Sequence, residues 1–169
     1  MKGFEDIIKE QKSSMKTSLT ICVSLFVAAG AVFFVRRTIA LFFLLVAVLL
    51  AVSLYSRYSK FKAQIADIDV DEVAGEFISA NSRYFMQFEL TITDNYVIME
   101  RPAFKVYTLA KMEKFEVGIA GEMRKALFLT DFKGERHKIA ETQKGDATQR
   151  DFDEAYECIR DYFNRRKAK

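Results

Sequence analysis

The sequence predicts an α+β fold in which an N-terminal transmembrane helical hairpin precedes a small antiparallel sheet or barrel closed by a C-terminal helix. Two patterns predict it. The forty positions from Thr17 to Ser56 contain only two charged residues, Arg36 and Arg37. From Tyr84 onward, short apolar alternations of period two are separated by turn residues, and a final segment carries one apolar stripe at helical spacing.

The chain has 169 residues, 50% apolar and 29% charged, and its net charge is +3. The long uncharged region excludes an ordinary soluble single domain. Residues 57–169 hold 20 basic and 20 acidic residues, so the whole positive excess lies in residues 1–56, where six basic residues face three acidic ones. A folded domain of zero net charge lacks the basic footprint of a nucleic-acid-binding protein.

The two cysteines, Cys22 and Cys158, exclude a disulfide framework. The single histidine, His137, lies in no Cys/His cluster of metal-binding spacing, so neither a metal nor a cofactor is expected. A sixteen-residue polar head precedes the first apolar run, which ends at Arg-Arg rather than at a cleavage site. We therefore expect the apolar segments to persist in the mature protein.

Two uncharged runs, Ser18 to Val35 and Thr38 to Ser56, contain 18 and 19 residues. As helices they would measure about 27–29 Å, close to the thickness of a bilayer core. One continuous helix would instead place Arg36 and Arg37 near the bilayer centre, at a cost of about 2.5–3.5 kcal/mol each. Two passes (residues 17–56) are therefore predicted, although no Pro or Gly marks the turn.

Lys and Arg flanking the two runs predict the orientation. Six lie outside the hairpin, near its two ends, and two lie in its loop, so both termini are expected in the cytoplasm of a multi-pass cell-membrane protein. The predicted membrane-interface residues are Lys16, Arg36, Arg37, Tyr55, Arg57, Tyr58 and Lys60.

Small residues at four-residue spacing, Ser24 with Ala28 and Ala47 with Ala51, permit close contact between the helices. The runs contain no acid, lysine or histidine, which disfavours a transporter or channel. The cytoplasmic head, residues 1–16, is compatible with a short helix on the inner leaflet or with a frayed terminus.

Residues 57–83 are interpreted as a connector and an amphipathic helix from Asp71 to Ser82, in which Val73, Phe77 and Ile78 recur at helical spacing. The acidic run at its start lacks the glycine and distal glutamate of an EF-hand loop. A solvated acidic helix start is therefore preferred over a calcium site.

Residues 84–169 are predicted to form about six short strands and a closing helix. A strand from Tyr84 to Ile92 is expected to continue, after the turn Thr93-Asp94-Asn95, into a second strand through Ile98. Further alternation includes Phe115, Val117 and Ile119. Gly118 and Gly121 bracket a bend. Thr148 and Asp151 have capping-box spacing, and the helix stripe is Phe152, Ala155, Ile159, Tyr162 and Phe163.

These segments resemble the bacterial pleckstrin-homology-like (PH-like) domains. The resemblance rests on residues 90–98, 107–109, 112–117, 126–134 and 152–163, and the two preceding passes are similar to the YcxB-like arrangement of small bacterial membrane proteins. It implies a cytoplasmic PH-like fold on a membrane hairpin, in largely uncharacterised families not known as enzymes. Lipid-binding PH domains carry basic residues at the first hairpin loop, whereas this loop is Thr93-Asp94-Asn95, so phosphoinositide recognition is not implied.

Residues of chemical interest favour structural roles. His137, in a predicted strand, is expected to be exposed or at a rim, and Cys158 to be a buried inert thiol. The Gly118–Gly121 segment lacks the residues of a phosphate-binding loop. The basic tail is solvated or contacts anionic lipid through Arg165, Arg166, Lys167 and Lys169.

The leading functional hypothesis is a membrane-anchored, non-enzymatic interaction module that offers a sheet edge, or the groove between sheet and helix, to a protein partner or to a second copy. The alternative is a ligand or lipid sensor that uses the barrel mouth or the hairpin. An enzyme is disfavoured because no converging nucleophile and base can be named. A pocket with shifted carboxylates at Glu113 or Glu116 would revive it.

Overall fold

The computed structural model describes residues 3–33, 36–121, 124–143 and 145–167. The chain divides into two units, Met1–Asp67 and Ile68–Lys169, which we call the hairpin unit and the sheet unit. The first contains two long helices, and the second contains a short helix, seven strands and a C-terminal helix. An α+β architecture, as predicted, is confirmed.

The hairpin unit consists of α1 (Phe4–Phe33) and α2 (Arg37–Ala66), each 30 residues long. Both continue beyond the apolar runs. Residues 4–16 are therefore the first turns of α1 rather than a separate or frayed segment, and residues 57–66 extend α2 where a connector was expected. Near the start of the apolar run, the hydroxyls of Thr17 and Ser18 donate to the carbonyls of Ser13 and Ser14, which satisfies these polar groups within the helix.

The two helices pack along a seam of buried side chains that repeats every seven residues. In α1 it contains Cys22 and Ala29, and in α2 it contains Ala40 and Ala47. The Cys22 thiol donates to the Ala47 carbonyl at 3.4 Å, which fixes the antiparallel register. Small side chains at these positions let the two backbones approach closely. Ser24, expected in this contact, is exposed and donates to the Thr20 carbonyl instead.

Helix α3 (Val70–Ile78) opens the sheet unit and is shorter than the predicted Asp71–Ser82 helix. Asp69 caps it, because its carboxylate accepts from the backbone N–H groups of Asp71 and Glu72 at 3.0 and 3.2 Å. The helix ends at Ser79, whose backbone is extended (ψ 155°). Val73 and Phe77 form its buried face, as the helical spacing predicts, whereas Ile78, expected on the same face, is 79% exposed.

Seven strands follow, in two antiparallel sheets of sequential order, β1-β2-β3-β4 and β5-β6-β7. They are β1 (Arg83–Phe85), β2 (Leu90–Ile92), β3 (Tyr96–Met99), β4 (Lys105–Thr108), β5 (Met112–Ala120), β6 (Arg124–Asp131) and β7 (Arg136–Gln143).

The continuous strand predicted from Tyr84 to Ile92 is wrong. A 3-10 turn, Met86–Phe88, separates β1 from β2, and Glu89 after it is left-handed (φ 47°). The amide of Glu100 nevertheless donates to the Glu89 carbonyl at 2.9 Å, so the sheet continues beside the interruption. The apolar residues still alternate along the sequence across such an irregularity. The alternation therefore cannot be used to predict where a strand is interrupted.

Gly118 lies within β5 rather than at a bend. A Cβ there would collide with the guanidinium of Arg136, which lies 3.7 Å from the centre of the Phe128 ring. The actual turn uses Gly121, with a φ of 63° that favours glycine.

Helix α4 (Gln149–Lys167) covers the core of the sheet unit. Its predicted stripe is confirmed: Phe152, Ala155, Ile159 and Phe163 are buried, and Tyr162 packs against them. The same cluster includes β2, β3, β6 and β7 side chains, among them Leu90, Val97, Leu127, Leu129 and Ile139. One helix thus buries the inner faces of both sheets.

Replacing Ile159 by Ala should lower the free energy of unfolding of the sheet unit by about 3 kcal/mol, because a fully buried side chain leaves a cavity. Chemical denaturation of the full-length protein in detergent, followed by circular dichroism, measures the change. Ile119→Ala, the same change at a position 80% exposed, is the control and should cost less than about 0.5 kcal/mol. Equal costs would contradict the assigned core.

Candidate functional site

The predicted membrane-interface residues lie at exposed positions of the hairpin unit. Arg36 precedes α2 and Arg37 is its first residue. The remaining members of the set, Lys16, Tyr55, Arg57, Tyr58 and Lys60, are also exposed. Both helices are long and apolar enough to cross a membrane, and only 11% of the most apolar stretch of each is buried.

The basic tail is partly held by the protein itself. Arg165 lies 3.5 Å from the carboxylate of Asp94, and Arg166 donates to the Met112 carbonyl at 2.6 Å while lying 5.5 Å from the centre of the Phe132 ring. Lys167 is exposed, and Lys169 lies outside the described residues. The tail therefore fastens α4 to the β2–β3 turn and to β5.

The β2–β3 turn is tied to α3 through Glu76. Its carboxylate accepts from the Thr93 hydroxyl at 2.7 Å and from the Asn95 backbone N–H at 3.0 Å, and it also binds the Asn95 side-chain amide. Asp94 accepts from the Asn81 side chain at 2.8 Å. These bonds come from residues distant in sequence, so the turn is held from outside the hairpin.

Two other acids near the start of α3, Asp69 and Glu72, also have protein partners. Asp69 is the helix cap. Burial raises the pKa of Tyr96 to about 12, and its hydrogen bond with Glu72 contributes to the rise. Glu76 holds the turn, so the expectation of a solvated acidic helix start is wrong for this residue.

His137, expected to be exposed or at a rim, is half-buried. Its Nε2 lies 3.8 Å from the Asp131 carboxylate, its Nδ1 lies 3.9 Å from that of Glu135, and its ring centre is 5.0 Å from that of Tyr107. The potential ligand atoms of the three polar groups lie within 4.8 Å of one another.

This cluster has the geometry of a turn organised by a carboxylate rather than that of a zinc site. The two carboxylates face opposite ring nitrogens, and their distances exceed the separation of about 3.4 Å between ligands of a tetrahedral zinc ion. The backbone N–H groups of Glu135 and Lys133 donate to Asp131 at 2.8 and 2.9 Å, which lowers the pKa of its carboxyl group. Asp131 therefore organises the β6–β7 turn.

Cys158 is half-buried, not fully buried, and burial raises the pKa of its thiol. A thiol that resists ionisation is a poor nucleophile at neutral pH. Glu116, suggested as a reactive carboxylate, lies 2.8 Å from Arg136 and 3.4 Å from Lys114. Glu113 is exposed.

The described residues of the sheet unit line two pockets that are open to solvent. One, of about 630 Å³, runs between α4 and the β1–β2 edge and is lined by charges of both signs, including Arg83, Asp94 and Asp161. The other, of about 370 Å³, lies between the β3–β4 loop and β7 and is mainly apolar, with three cations. Each of these cations has a partner: Arg101 pairs with Glu89, Lys138 pairs with Glu141, and Lys105 lies over the Tyr107 ring.

A pair of exposed apolar side chains in the sheet unit lies on β5, an outer strand of its sheet. Phe115 packs on Phe163 of α4, with ring centres 5.0 Å apart. Two and four residues further on, Val117 and Ile119 are 46% and 80% exposed. The sequence shows the alternation of this strand. It does not show the position along β5 beyond which α4 no longer covers the strand.

No family model, curated protein or solved structure matches the chain. The functional assignment therefore rests on the geometry described above.

Tyr107 should make the sheet unit sensitive to alkali. Burial, assisted by the charge of Glu135, raises its pKa to about 12, above the ordinary value of 10.0. Between pH 10 and pH 12, Tyr107 therefore stays protonated in the folded state and loses its proton in the unfolded state. The free energy of unfolding should be highest below pH 10 and should fall as the pH rises toward 12. Tyr107→Phe should reduce this fall. Thermal unfolding measured across that range checks it, and an unchanged pH profile would contradict the role of Tyr107.

Proposed function

We propose that the chain is a membrane-anchored, non-enzymatic interaction module. The hairpin unit crosses the cell membrane twice, with both termini in the cytoplasm. The sheet unit, a PH-like fold, offers the outer edge of β5 to a protein partner at the inner face of the membrane. The single observation that carries the proposal is the pair of exposed apolar side chains, Val117 and Ile119, on an outer strand.

Membrane insertion is supported by the outward faces of α1 and α2. Leu41, Leu45 and Leu49, for example, are 60%, 58% and 63% exposed. A core helix of a soluble protein buries most such side chains, whereas a membrane helix presents them to lipid. The small seam residues bring the two helices together and leave the large apolar side chains outward.

Helix length supports a cytoplasmic stalk. Thirty residues measure about 45 Å, whereas the bilayer core is about 30 Å thick. The apolar part of each helix lies at the end near Arg36 and Arg37. The length that exceeds the bilayer core therefore lies at the other end, which is the start of α1 and the end of α2. There the chain carries most of its flanking lysines, which favours the cytoplasmic side for both ends.

The PH-like interpretation is supported by strand count and order. Sheets of four and three sequential antiparallel strands share one C-terminal helix, which covers both inner faces. Closure of these sheets into a PH-like barrel, and kinship with bacterial YcxB-like membrane proteins, are part of the proposal and rest on this topology with the sequence resemblance.

A binding role at β5 follows from the physics of strand edges. An outer strand can pair with an added strand through its backbone, and uncovered apolar side chains beside it gain free energy when the partner covers them. Val117 and Ile119 provide such side chains, and β5 is nine residues long. The same edge would also serve self-association through a second copy of the chain.

The remaining classes have weaker support. Within the described residues, the single imidazole faces two carboxylates and an aromatic ring rather than a nucleophile, which favours a non-enzymatic role. A zero net charge over residues 57–169 disfavours nucleic acid, and the β2–β3 turn offers no basic residue for a phosphoinositide. The alternative is a ligand or lipid sensor that uses the barrel mouth or the hairpin. In the sheet unit, the cations of the pocket beside the β3–β4 loop already have protein partners, which weakens this alternative there.

Topology can be tested with single cysteines, because the chain has only Cys22 and Cys158 to replace by Ala. With Arg36→Cys, a membrane-impermeant maleimide should label intact cells. With Lys60→Cys, labelling should require permeabilised cells, since this position is expected in the cytoplasm. The opposite pattern, or equal labelling of both before permeabilisation, would contradict the proposed orientation.

The β5 edge can be tested by photocrosslinking of the full-length protein in native membranes, with a photoreactive side chain at Glu113. We expect one dominant protein adduct, whose yield falls about tenfold in Val117→Asp/Ile119→Asp, because charges on an apolar edge oppose strand addition. Mass spectrometry identifies the adduct as a partner or as a second copy.

The matched control is Ile78→Asp/Met86→Asp, which changes two apolar residues that are 79% and 74% exposed outside β5. The adduct should persist in this variant. An equal loss in both variants, or an adduct consisting only of lipid, would refute the β5 edge as the binding site and favour the sensor alternative.

A further inference from the structure

A basic groove of about 540 Å³ lies in the hairpin unit, between the terminal parts of α1 and α2. In α1 its lining includes Lys12, Met15 and Lys16, and in α2 it includes Tyr58, Phe61 and Lys62. Residues at such spacings of three and four lie on one face of a helix, so the groove is formed by two facing helix surfaces. We call it the stalk groove.

The lysines of the stalk groove lack compensating charge. Its lining contains no carboxylate, and within the described residues none of the ammonium groups of Lys12, Lys16 and Lys62 forms an ion pair. This differs from the pocket beside the β3–β4 loop, where each cation has a partner. Three cations gathered around one cavity repel one another and gain free energy from a bound anion.

The position of the groove along the helices indicates what kind of anion fits. Lys16 lies two residues before the uncharged run that begins at Ser18, and Lys12 lies one turn further out, about 6 Å along the axis. Lys62 lies six residues beyond Ser56, or about 9 Å. If the apolar runs fill the bilayer core, the three ammonium groups lie in the headgroup layer.

The floor of the groove is apolar and continues toward the membrane. Phe61 is buried, Met15 is half-buried, and Leu19, one turn nearer the bilayer, is 58% exposed. Tyr58 contributes an aromatic ring of the kind found at headgroup level. A cationic rim above an apolar floor is complementary to a molecule with an anionic head and an acyl chain.

We propose that the stalk groove binds one anionic phospholipid, with its phosphate among Lys12, Lys16 and Lys62 and the upper part of an acyl chain along Met15, Leu19 and Phe61. This site rests on the proposed membrane insertion, but it is separate from the β5 edge. The bound lipid offsets part of the positive charge of the rim and fills the space between the helices, so it fixes the spacing of the stalk in membranes rich in anionic lipid.

The test uses the full-length protein in neutral detergent, titrated with dioleoyl phosphatidylglycerol and read by native mass spectrometry. Lys12→Gln/Lys16→Gln/Lys62→Gln should bind the lipid about tenfold more weakly than the wild type, because each lysine near a headgroup contributes attraction. Lys12→Arg/Lys16→Arg/Lys62→Arg should retain binding, which also shows that substitution at these positions is tolerated.

The matched control removes the same number of charges from the same stalk. Lys9→Gln/Arg57→Gln/Lys60→Gln changes exposed residues that do not line the groove, and it should bind within about twofold of the wild type. An equal loss in both variants would show general charge attraction and overturn the site. Unchanged binding in the groove variant, or equal wild-type affinity for zwitterionic phosphatidylcholine, would also overturn it.

Two further arms separate the possible failures. Inorganic phosphate is added as a competitor, and displacement of the lipid at equal concentration would indicate a phosphate site without a lipid component. Alkaline carbonate extraction of native membranes tests insertion for every variant. Insertion without selective lipid binding would overturn only the stalk groove site, whereas extraction of the wild type would overturn the membrane proposal on which it rests.

Discussion

The hairpin unit depends on one constraint, which is that the apolar outer surface of α1 and α2 must be removed from water. The protein does not do this itself, since only 11% of the most apolar stretch of each helix is buried. Small residues in the seam, such as Ala40 and Ala47, bury little and mainly allow the two backbones to approach. In the proposed membrane, lipid covers the rest, and the position of the apolar runs then places the lysines of the stalk in the headgroup layer.

The sheet unit meets the same constraint internally. Both sheets have apolar side chains on the face toward α4, which covers them with a single stripe centred on Ala155 and Ile159. This arrangement concentrates stability in one helix. It also leaves the distal part of β5 uncovered, because Phe115 contacts α4 whereas Val117 and Ile119 do not lie in its buried cluster. The proposed binding edge is thus a consequence of how far one helix extends over a longer strand.

Contacts distant in sequence hold the β2–β3 turn of the sheet unit. Glu76 of α3 holds the β2–β3 turn, and Arg165 of α4 approaches the same turn through Asp94. Residues that looked like a solvated acidic helix and a solvated basic tail are therefore partly structural. Glu76, near the start of the sheet unit, and Arg165, near its end, both contact the β2–β3 turn. These two contacts explain how a turn without glycine is held in place.

The sequence by itself determined the features that depend on local periodicity and on charge. These include two uncharged runs long enough to cross a membrane, the β2–β3 hairpin, the α4 stripe and the absence of a disulfide framework. The ends of the helices were harder to predict from the sequence. The polar segments 4–16 and 57–66 are compatible with either helix or coil until a neighbouring helix packs against them. The tertiary structure alone decided the break at Glu89, the exposure of Ile119 and the meeting of Lys12, Lys16 and Lys62 at one groove. Each of these features depends on which surfaces meet in space. The spacing of residues within one segment does not determine which other segment packs against it.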